Sequence, residues 1–173
     1  IVPLIFELNY VLHLWLGDVV PLDTQLFTAL VLVDGLVTCL IPPCNHIMFA
    51  TGKLKYYQIS ASIINMLLIP AAWAGLHLGY DAEYVFGLLI IFSIINLASC
   101  VYFSNREVHF GIWRYVREVV VPFIFCVVID ALCLFPIYYF LPSSFGRLLL
   151  ICIASVCVNI LLSLFVILKK SER

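Results

Sequence analysis

Charged residues are scarce in this chain of 173 residues, since only 11% are Asp, Glu, Lys or Arg, against about 25% in an ordinary soluble domain. The net charge is −1, and the nine Lys and Arg residues are scattered rather than gathered into a basic face, which disfavours nucleic-acid binding. With 65% hydrophobic residues and a mean hydropathy of +1.16, the composition argues against a soluble single-core domain and excludes intrinsic disorder.

Sequence motifs for catalysis and for metal binding are lacking as well. There is no GxSxG motif, no Walker loop and no pair of metal ligands at the usual spacing, and the four His residues are dispersed. The seven Cys residues are an odd number, form no CxxC and lie in apolar stretches, where free Cys behaves as a small hydrophobe. We therefore expect no enzyme, no cofactor and no catalytic or metal site.

Long apolar stretches without alternation are what the sequence contains instead, and they predict membrane-spanning helices rather than strands. A span needs about 20 mostly apolar residues, and five stretches qualify. They cover about residues 24–49, 57–78, 83–104, 119–141 and 147–168. The predicted fold class is an all-α integral membrane protein, a multi-pass helical bundle with residues 1–173 as a single transmembrane region.

Residues 1–18 are apolar but too short to cross a bilayer. We expect them to be the end of a truncated membrane helix followed by an external interfacial segment, in which Trp15 suits the headgroup level. The sequence begins without Met and without a signal peptide. We therefore expect the C-terminal end of a longer chain, whose N-terminal half is missing.

Basic residues fall on one side of the predicted bundle. Eight of the nine Lys and Arg residues lie in the connections after helices one and three or after helix five, and only Arg147 lies on the other side. That other side carries the acidic residues Glu7, Asp18, Asp23, Asp81 and Glu83. By the positive-inside rule, the C-terminus is expected to be cytoplasmic.

Helix one carries polar residues at helical spacing. Asp34, Thr38, Pro42 and Asn45 are offset by 0, 4, 8 and 11 positions and therefore share one face of a regular helix. Asp34 lies about 15 Å into the helix, close to mid-bilayer, and the pair Pro42-Pro43 predicts a break just below it. A carboxylate beside a broken helix suits a cation or a proton, whereas a hydrogen bond within the bundle is the structural alternative.

Helix four carries a second intramembrane carboxylate, Asp130, which is another candidate relay or cavity residue. The candidate transport residues are therefore Asp34, Thr38, Asn45 and Asp130. Rows of small and amide side chains on the other helices are expected to serve helix packing. These rows are Gln58, Ser62 and Asn65 on helix two, Ser93, Asn96 and Ser99 on helix three, and Ser155, Asn159 and Ser163 on helix five.

The stretch 49–58, FATGKLKYYQ, resembles the ATGK junction of bacterial polysaccharide-export flippases, in the multidrug/oligosaccharidyl-lipid/polysaccharide exporter superfamily. The stretch 10–17, YVLHLWLG, is similar to an external segment of that family, and the resemblance covers about residues 3–90. It implies the C-terminal portion of a MATE-like flippase fold. It also implies transport of undecaprenyl-pyrophosphate-linked oligosaccharide across the bacterial inner membrane for polysaccharide biosynthesis.

The partners that the resemblance implies are the lipid bilayer and a lipid-linked oligosaccharide, with a proton or a sodium ion as the candidate coupling ion. The family has a cationic head-group cavity, but we expect no Lys or Arg inside the predicted helices. Lys53 and Lys55 are therefore the candidates for a cytoplasmic mouth, with topological anchoring as the alternative. Local structure also explains the glycine of the junction, because Gly52 can end helix one at positive φ.

Two other functions are compatible with the sequence. The first is a drug or cation antiporter of the same superfamily, in which Asp34 or Asp130 would hold the coupling ion. The second is a non-transporting helical membrane subunit that packs against a partner. The junction at 49–58 favours the sugar-exporting branch over the antiporter, and the missing start Met and the odd helix count argue against a complete small subunit.

Overall fold

The computed structural model describes residues 1–17, 20–21 and 23–171, with side chains up to residue 164. Throughout this part of the chain the secondary structure is helical, and no strand occurs. Asp18 and Arg173, which entered the charge argument above, lie outside the described residues. The predicted all-α class is therefore confirmed for the part of the chain that the structure describes.

Among the described residues, five helical segments are long and apolar enough to cross a membrane, as predicted. Their bounds are Thr24–Thr51, Lys55–His77, Ala82–Val108, Ile112–Phe140 and Phe145–Leu164. Many large apolar side chains along them are exposed, among them Met66, Phe125 and Leu132. Apolar exposure of this extent suits contact with lipid or with further helices. The chain is accordingly a multi-pass membrane protein by the length and composition of its helices.

The helices are labelled in chain order. They are α1 (Val2–Phe6), α2 (Leu8–Leu16), α3 (Thr24–Thr38), α4 (Ile41–Thr51), α5 (Lys55–His77), α6 (Ala82–Val108), α7 (Ile112–Tyr115), α8 (Val121–Phe140) and α9 (Phe145–Ser171), with a π-helix at Val116–Val120. The first predicted span is thus two helices, α3 and α4. Pro42 and Pro43 lie in the first turn of α4, where their missing N–H groups cost least, so the predicted break is confirmed.

Two compact units divide the chain. The first comprises Ile1–Gln25 and Val121–Arg173, and the second comprises Leu26–Val120. In the first unit α8 packs on α9, and α1 packs on both around Val2, Leu134 and Ile151. The predicted assignment of residues 1–173 to a single transmembrane region stays a prediction.

The second unit is built on α6, which packs against both α4 and α5. Its core gathers Cys44 and Met48 from α4, Tyr57 from α5, Cys100 and Val101 from α6, and Tyr115 from α7. Gly52 ends α4 in the left-handed conformation with φ 69°, as the junction predicts. This turn lets α5 start only three residues later and fold back beside α6.

The start of the fourth span differs from the prediction of residue 119. The span begins at Ile112, because α6 ends at Val108 and a tight turn follows. In that turn the backbone N–H of Gly111 donates to Asn105 Oδ1 at 2.7 Å. The side chain of Asn105 thus closes the turn, and the next helix begins seven residues before the predicted start at residue 119.

Candidate functional site

Asp130 is the centre of a buried polar group in the first unit. It lies midway along α8 and is only 3% exposed. The hydroxyl of Ser155, on the facing α9, donates to Asp130 Oδ2 at 2.8 Å. Asn159, one turn further along α9, donates through Nδ2 to the Ser155 carbonyl at 2.8 Å and contacts Ser155 Oγ at 3.4 Å. The structure therefore joins a predicted cavity residue to two residues of the predicted packing row.

The second carboxyl oxygen of Asp130 is the notable atom of this group. Oδ1 is buried and has no hydrogen-bond partner within the part of the chain that the structure describes. An ionised carboxylate is costly in a low-dielectric interior unless several donors or a cation meet it. With one hydrogen bond among the described residues, the Asp130 carboxyl group has one oxygen available for a further donor or a small cation.

An open cavity of about 380 Å³ runs along α9 beside this group. Its polar lining comes from Ser155, Asn159 and Ser163, and Val156 and Ile160 supply the apolar lining. We had expected all three polar residues to serve packing. Ser155 does bridge two helices, but Asn159 and Ser163 also face open space. The row on α9 therefore combines a packing contact with a polar surface next to Asp130.

A buried ion pair was missed by the sequence reasoning. Arg147, in the first turn of α9, reaches Glu7 between α1 and α2, with 2.5 Å between Nε and Oε1 and 2.8 Å between NH2 and Oε2. The Arg147 and Glu7 side chains are 10% and 0% exposed. NH1 donates to the Leu141 carbonyl at 2.9 Å, and the guanidinium lies 4.9 Å from the ring centroid of Tyr138. The guanidinium thus meets a carboxylate, a backbone carbonyl and an aromatic ring.

The expectation that no Arg or Lys lies inside the helices is wrong at Arg147. The side chain is tolerated there because a bidentate carboxylate, backbone carbonyls and an aromatic face together replace water. One signal could have found the pair. Glu7 is an acid in an apolar segment on the predicted external side, and Arg147 is the lone basic residue on that side.

Asp34, Thr38 and Asn45, which were predicted on one face of one helix, are divided between two helices. The break at Cys39 and Leu40 separates α3 from α4, so the first two residues and Asn45 lie on different helices. Thr38 Oγ1 donates to the Gly35 carbonyl of its own helix at 3.0 Å, and Asn45 Oδ1 accepts from Cys100 Sγ at 3.5 Å. Asp34 Oδ1 is buried without a hydrogen-bond partner among the described residues. The helix break, which the prolines cause, also interrupts the row.

Side chains from other helices of the second unit donate hydrogen bonds to the backbone beside this break. The Tyr115 hydroxyl, from α7, donates to the Leu40 carbonyl at 2.5 Å, and both residues are buried. The Ser104 hydroxyl, from α6, donates to the Cys44 carbonyl at 3.3 Å. These two hydroxyls therefore tie α7 and α6 to the start of α4, directly beside the break.

The two lysines of the predicted mouth differ in their surroundings. Lys53 Nζ lies 2.7 Å from Glu107 Oε2, across the turn between α4 and α5. Lys55 is exposed at the first position of α5 and makes no ion pair with any described residue. Lys53 therefore has its charge met within the protein, and Lys55 is the freer of the two.

No three His, Cys, Asp or Glu residues among those described lie close enough together to hold a metal ion. No model of a known protein family matches the chain, and no curated protein or solved structure is significantly similar to it.

Proposed function

We propose that the chain forms part of a membrane transporter that flips lipid-linked oligosaccharide, an undecaprenyl-pyrophosphate-sugar, across the bacterial inner membrane for polysaccharide biosynthesis. The observation that carries the proposal is the junction at 49–58, whose sequence resembles that of polysaccharide-export flippases. Its local structure supports the comparison, because Gly52 ends α4 with positive φ and Lys53 is fixed by Glu107. In this proposal the lysine side of the bundle, with the C-terminus, is cytoplasmic.

The polar interior of the first unit favours transport over a non-transporting subunit. Asp130 is buried at mid-helix, one of its oxygens has no partner among the described residues, and Ser155 and Asn159 add polar groups to the otherwise apolar open face of α9 beside it. Leaving a buried polar atom unpaired costs about 1–3 kcal/mol. A subunit that only packs against a partner gains nothing from that cost. A transporter gains a site whose proton or cation can change between its conformations.

Asp130 has the role of coupling group in the proposed cycle. In this cycle the coupling ion enters along α9 and binds at Oδ1, the oxygen without a partner among the described residues, while Ser155 holds Oδ2. Asn159 in turn holds Ser155 in place. Lys55 is the mouth residue placed to meet the pyrophosphate, and Lys53 anchors the turn.

The test is Asp130→Asn in the full-length protein in its native strain. Asn keeps the shape and the hydrogen bonding but removes the titratable group. We expect surface polysaccharide to fall at least tenfold, lipid-linked oligosaccharide to accumulate in the membrane, and protein abundance to stay near normal. Asp81→Asn is the matched control, because Asp81 is exposed at the start of α6 and makes no capping hydrogen bond. Normal export by the Asp130 variant would contradict the coupling role.

A cation or drug antiporter is the second candidate, and Asp34 is the observation that favours it. Its buried, unpaired Oδ1 beside a broken helix is an arrangement that suits cation binding. The same strains separate the two functions. An antiporter predicts that Asp34→Asn raises drug susceptibility and leaves surface polysaccharide intact. A flippase predicts that surface polysaccharide falls and drug susceptibility stays unchanged. If deletion of the whole gene changes neither surface polysaccharide nor drug susceptibility, the non-transporting subunit is the remaining candidate.

A further inference from the structure

An open groove of about 580 Å³ lies on the second unit, between the start of α5 and the end of α6. Tyr56, Ile59, Ile63 and Phe103 line it, and Arg106 stands at its end. From Tyr56 to residue 64 the lining extends eight residues along α5, or about 12 Å at 1.5 Å per residue. That length approaches the depth of one leaflet, which is half of the hydrocarbon core and thus about 15 Å.

The wall of the groove has few polar groups that would need a hydrogen bond from a ligand. The hydroxyl of Ser60, its one polar group besides the ends, is bound to the Ser99 hydroxyl at 2.9 Å. The rest of the wall is aliphatic or aromatic. A flexible apolar chain therefore fits this wall better than a sugar or a polar peptide, which would leave their own polar groups unpaired.

Among the residues that line the groove, the charged one is Arg106. Arg106 lies in the last turns of α6 and is exposed, and it forms no ion pair or hydrogen bond with any residue that the structure describes. The neighbouring acid, Glu107, is engaged by Lys53 at 2.7 Å. Tyr56, 71% exposed at the same end, has the amphipathic ring that favours the membrane interface. This end of the groove therefore lacks the anion that would complete it.

We propose that the groove binds one anionic phospholipid of the surrounding membrane, with its phosphate on Arg106 and one acyl chain along Ile59, Ile63 and Phe103. Charge complementarity identifies the occupant. The apolar wall is about as long as one leaflet is deep, and Arg106 lies at its end, so the groove matches an acyl chain that carries an anionic head group. Basic pockets between membrane helices commonly bind such head groups. The proposal concerns a resident lipid and does not depend on transport of an oligosaccharide.

The experiment compares lipid binding by the full-length protein and its variants. The purified protein is delipidated in detergent, titrated with phosphatidylglycerol or phosphatidylcholine, and examined by native mass spectrometry. We expect wild type to prefer phosphatidylglycerol, and Arg106→Gln to lower its affinity for that lipid about fivefold, as one interfacial cation is worth about 1 kcal/mol. Arg106→Lys should keep most of the preference. Arg117→Gln is the matched control, since Arg117 is exposed and lies outside the groove.

A second variant tests the acyl part of the site. Ile63→Trp fills the groove and should weaken both lipids, and circular dichroism checks that it remains folded. Glycerol phosphate, which has the head-group chemistry without a chain, should not compete at the concentrations at which phosphatidylglycerol does. The proposal is overturned if Arg117→Gln weakens binding as much as Arg106→Gln, if folded Ile63→Trp binds normally, or if glycerol phosphate competes equally.

Discussion

The two compact units differ in where they keep their charges. The first buries a complete ion pair, Glu7 with Arg147, and a carboxyl group, Asp130. The second buries thiols, hydroxyls, backbone carbonyls and one oxygen of the half-buried Asp34, while its ion pairs, Lys53 with Glu107 and Arg114 with Glu118, have exposed basic partners. The same apolar composition thus supports two kinds of polar interior.

The difference follows from what each unit has to satisfy. The second unit contains a helix broken by two prolines, and neutral hydroxyl donors suffice for the carbonyls at the break. The first unit holds ionisable groups, which need a counter-charge or a change of protonation state. Neutral hydrogen bonds suit a structural joint, whereas buried ionisable groups suit a site with more than one occupancy. Asp130, which is 3% exposed, is therefore our candidate for the proposed coupling role ahead of Asp34, which is only half-buried.

Removing Arg147 is the largest single perturbation that this comparison predicts. Arg147→Met keeps much of the side-chain volume but leaves Glu7 buried without its partner. Breaking a buried pair in this way costs about 3–5 kcal/mol. We expect a loss of that size in thermal or denaturant unfolding of the full-length protein in detergent, followed by circular dichroism.

A double variant separates the lost counter-charge from lost packing. Glu7→Gln together with Arg147→Met leaves no buried charge, so it should be clearly more stable than Arg147→Met alone. Arg114→Met is the matched control, because Arg114 is exposed and its pair with Glu118 is worth well under 1 kcal/mol. Equal stability of the Arg147 and Arg114 variants would mean that the pair is not buried in the membrane-embedded protein.

Tyr115→Phe should have a smaller effect, because it removes a neutral donor. The Leu40 carbonyl at the helix break would lose the hydroxyl that approaches it to 2.5 Å. A buried hydrogen bond of this kind is worth about 1 kcal/mol. The native thiols give a local readout. Cys44 is fully buried beside the break, so its labelling by a thiol reagent should start at a lower temperature in the variant.

Tyr102→Phe is the control for this experiment. Tyr102 lies on α6 in the same unit, is 56% exposed, and its ring contact with Phe103 does not need the hydroxyl. Its Cys44 labelling should match that of wild type. If Tyr115→Phe also matches wild type, the hydroxyl does not hold the break, and the contrast between the two units loses one of its supports.

The sequence was sufficient for those parts of the fold that depend on local chemistry. The five spans follow from runs of apolar residues that exceed the bilayer thickness. The break follows from Pro42 and Pro43, which lack amide donors, and the end of α4 follows from Gly52, which adopts positive φ without strain. Each of these features depends on a residue and its immediate neighbours, so a single sequence is enough.

Features that depend on distant partners were not predictable in the same way. Glu7 and Arg147 are 140 positions apart, and no periodic pattern connects an acid before the first span to a base at the start of the last. The start of the fourth span was placed late because the side chain of Asn105 closes the preceding turn. Asp130 was predicted as a cavity residue from its depth alone, but its bond to Ser155 required the packing of α8 on α9.

The smallest expected effect tests whether burial, rather than ion pairing itself, distinguishes the units. Lys53 and Glu107 approach to 2.7 Å, a distance between the 2.5 and 2.8 Å of the two Arg147–Glu7 contacts, but the Lys53 side chain is 68% exposed. Water and salt screen such a pair, so Lys53→Gln should cost about 0.2–1 kcal/mol, and the cost should vanish at 1 M salt. The Arg147→Met penalty should persist in the same salt, because ions do not reach the buried pair.

Unfolding of both variants at low and high salt, with Lys53→Arg as the charge-retaining control, measures this directly. If the two penalties were to fall together with salt, Glu7 and Arg147 would be accessible to water, and the contrast drawn between the two interiors would be wrong.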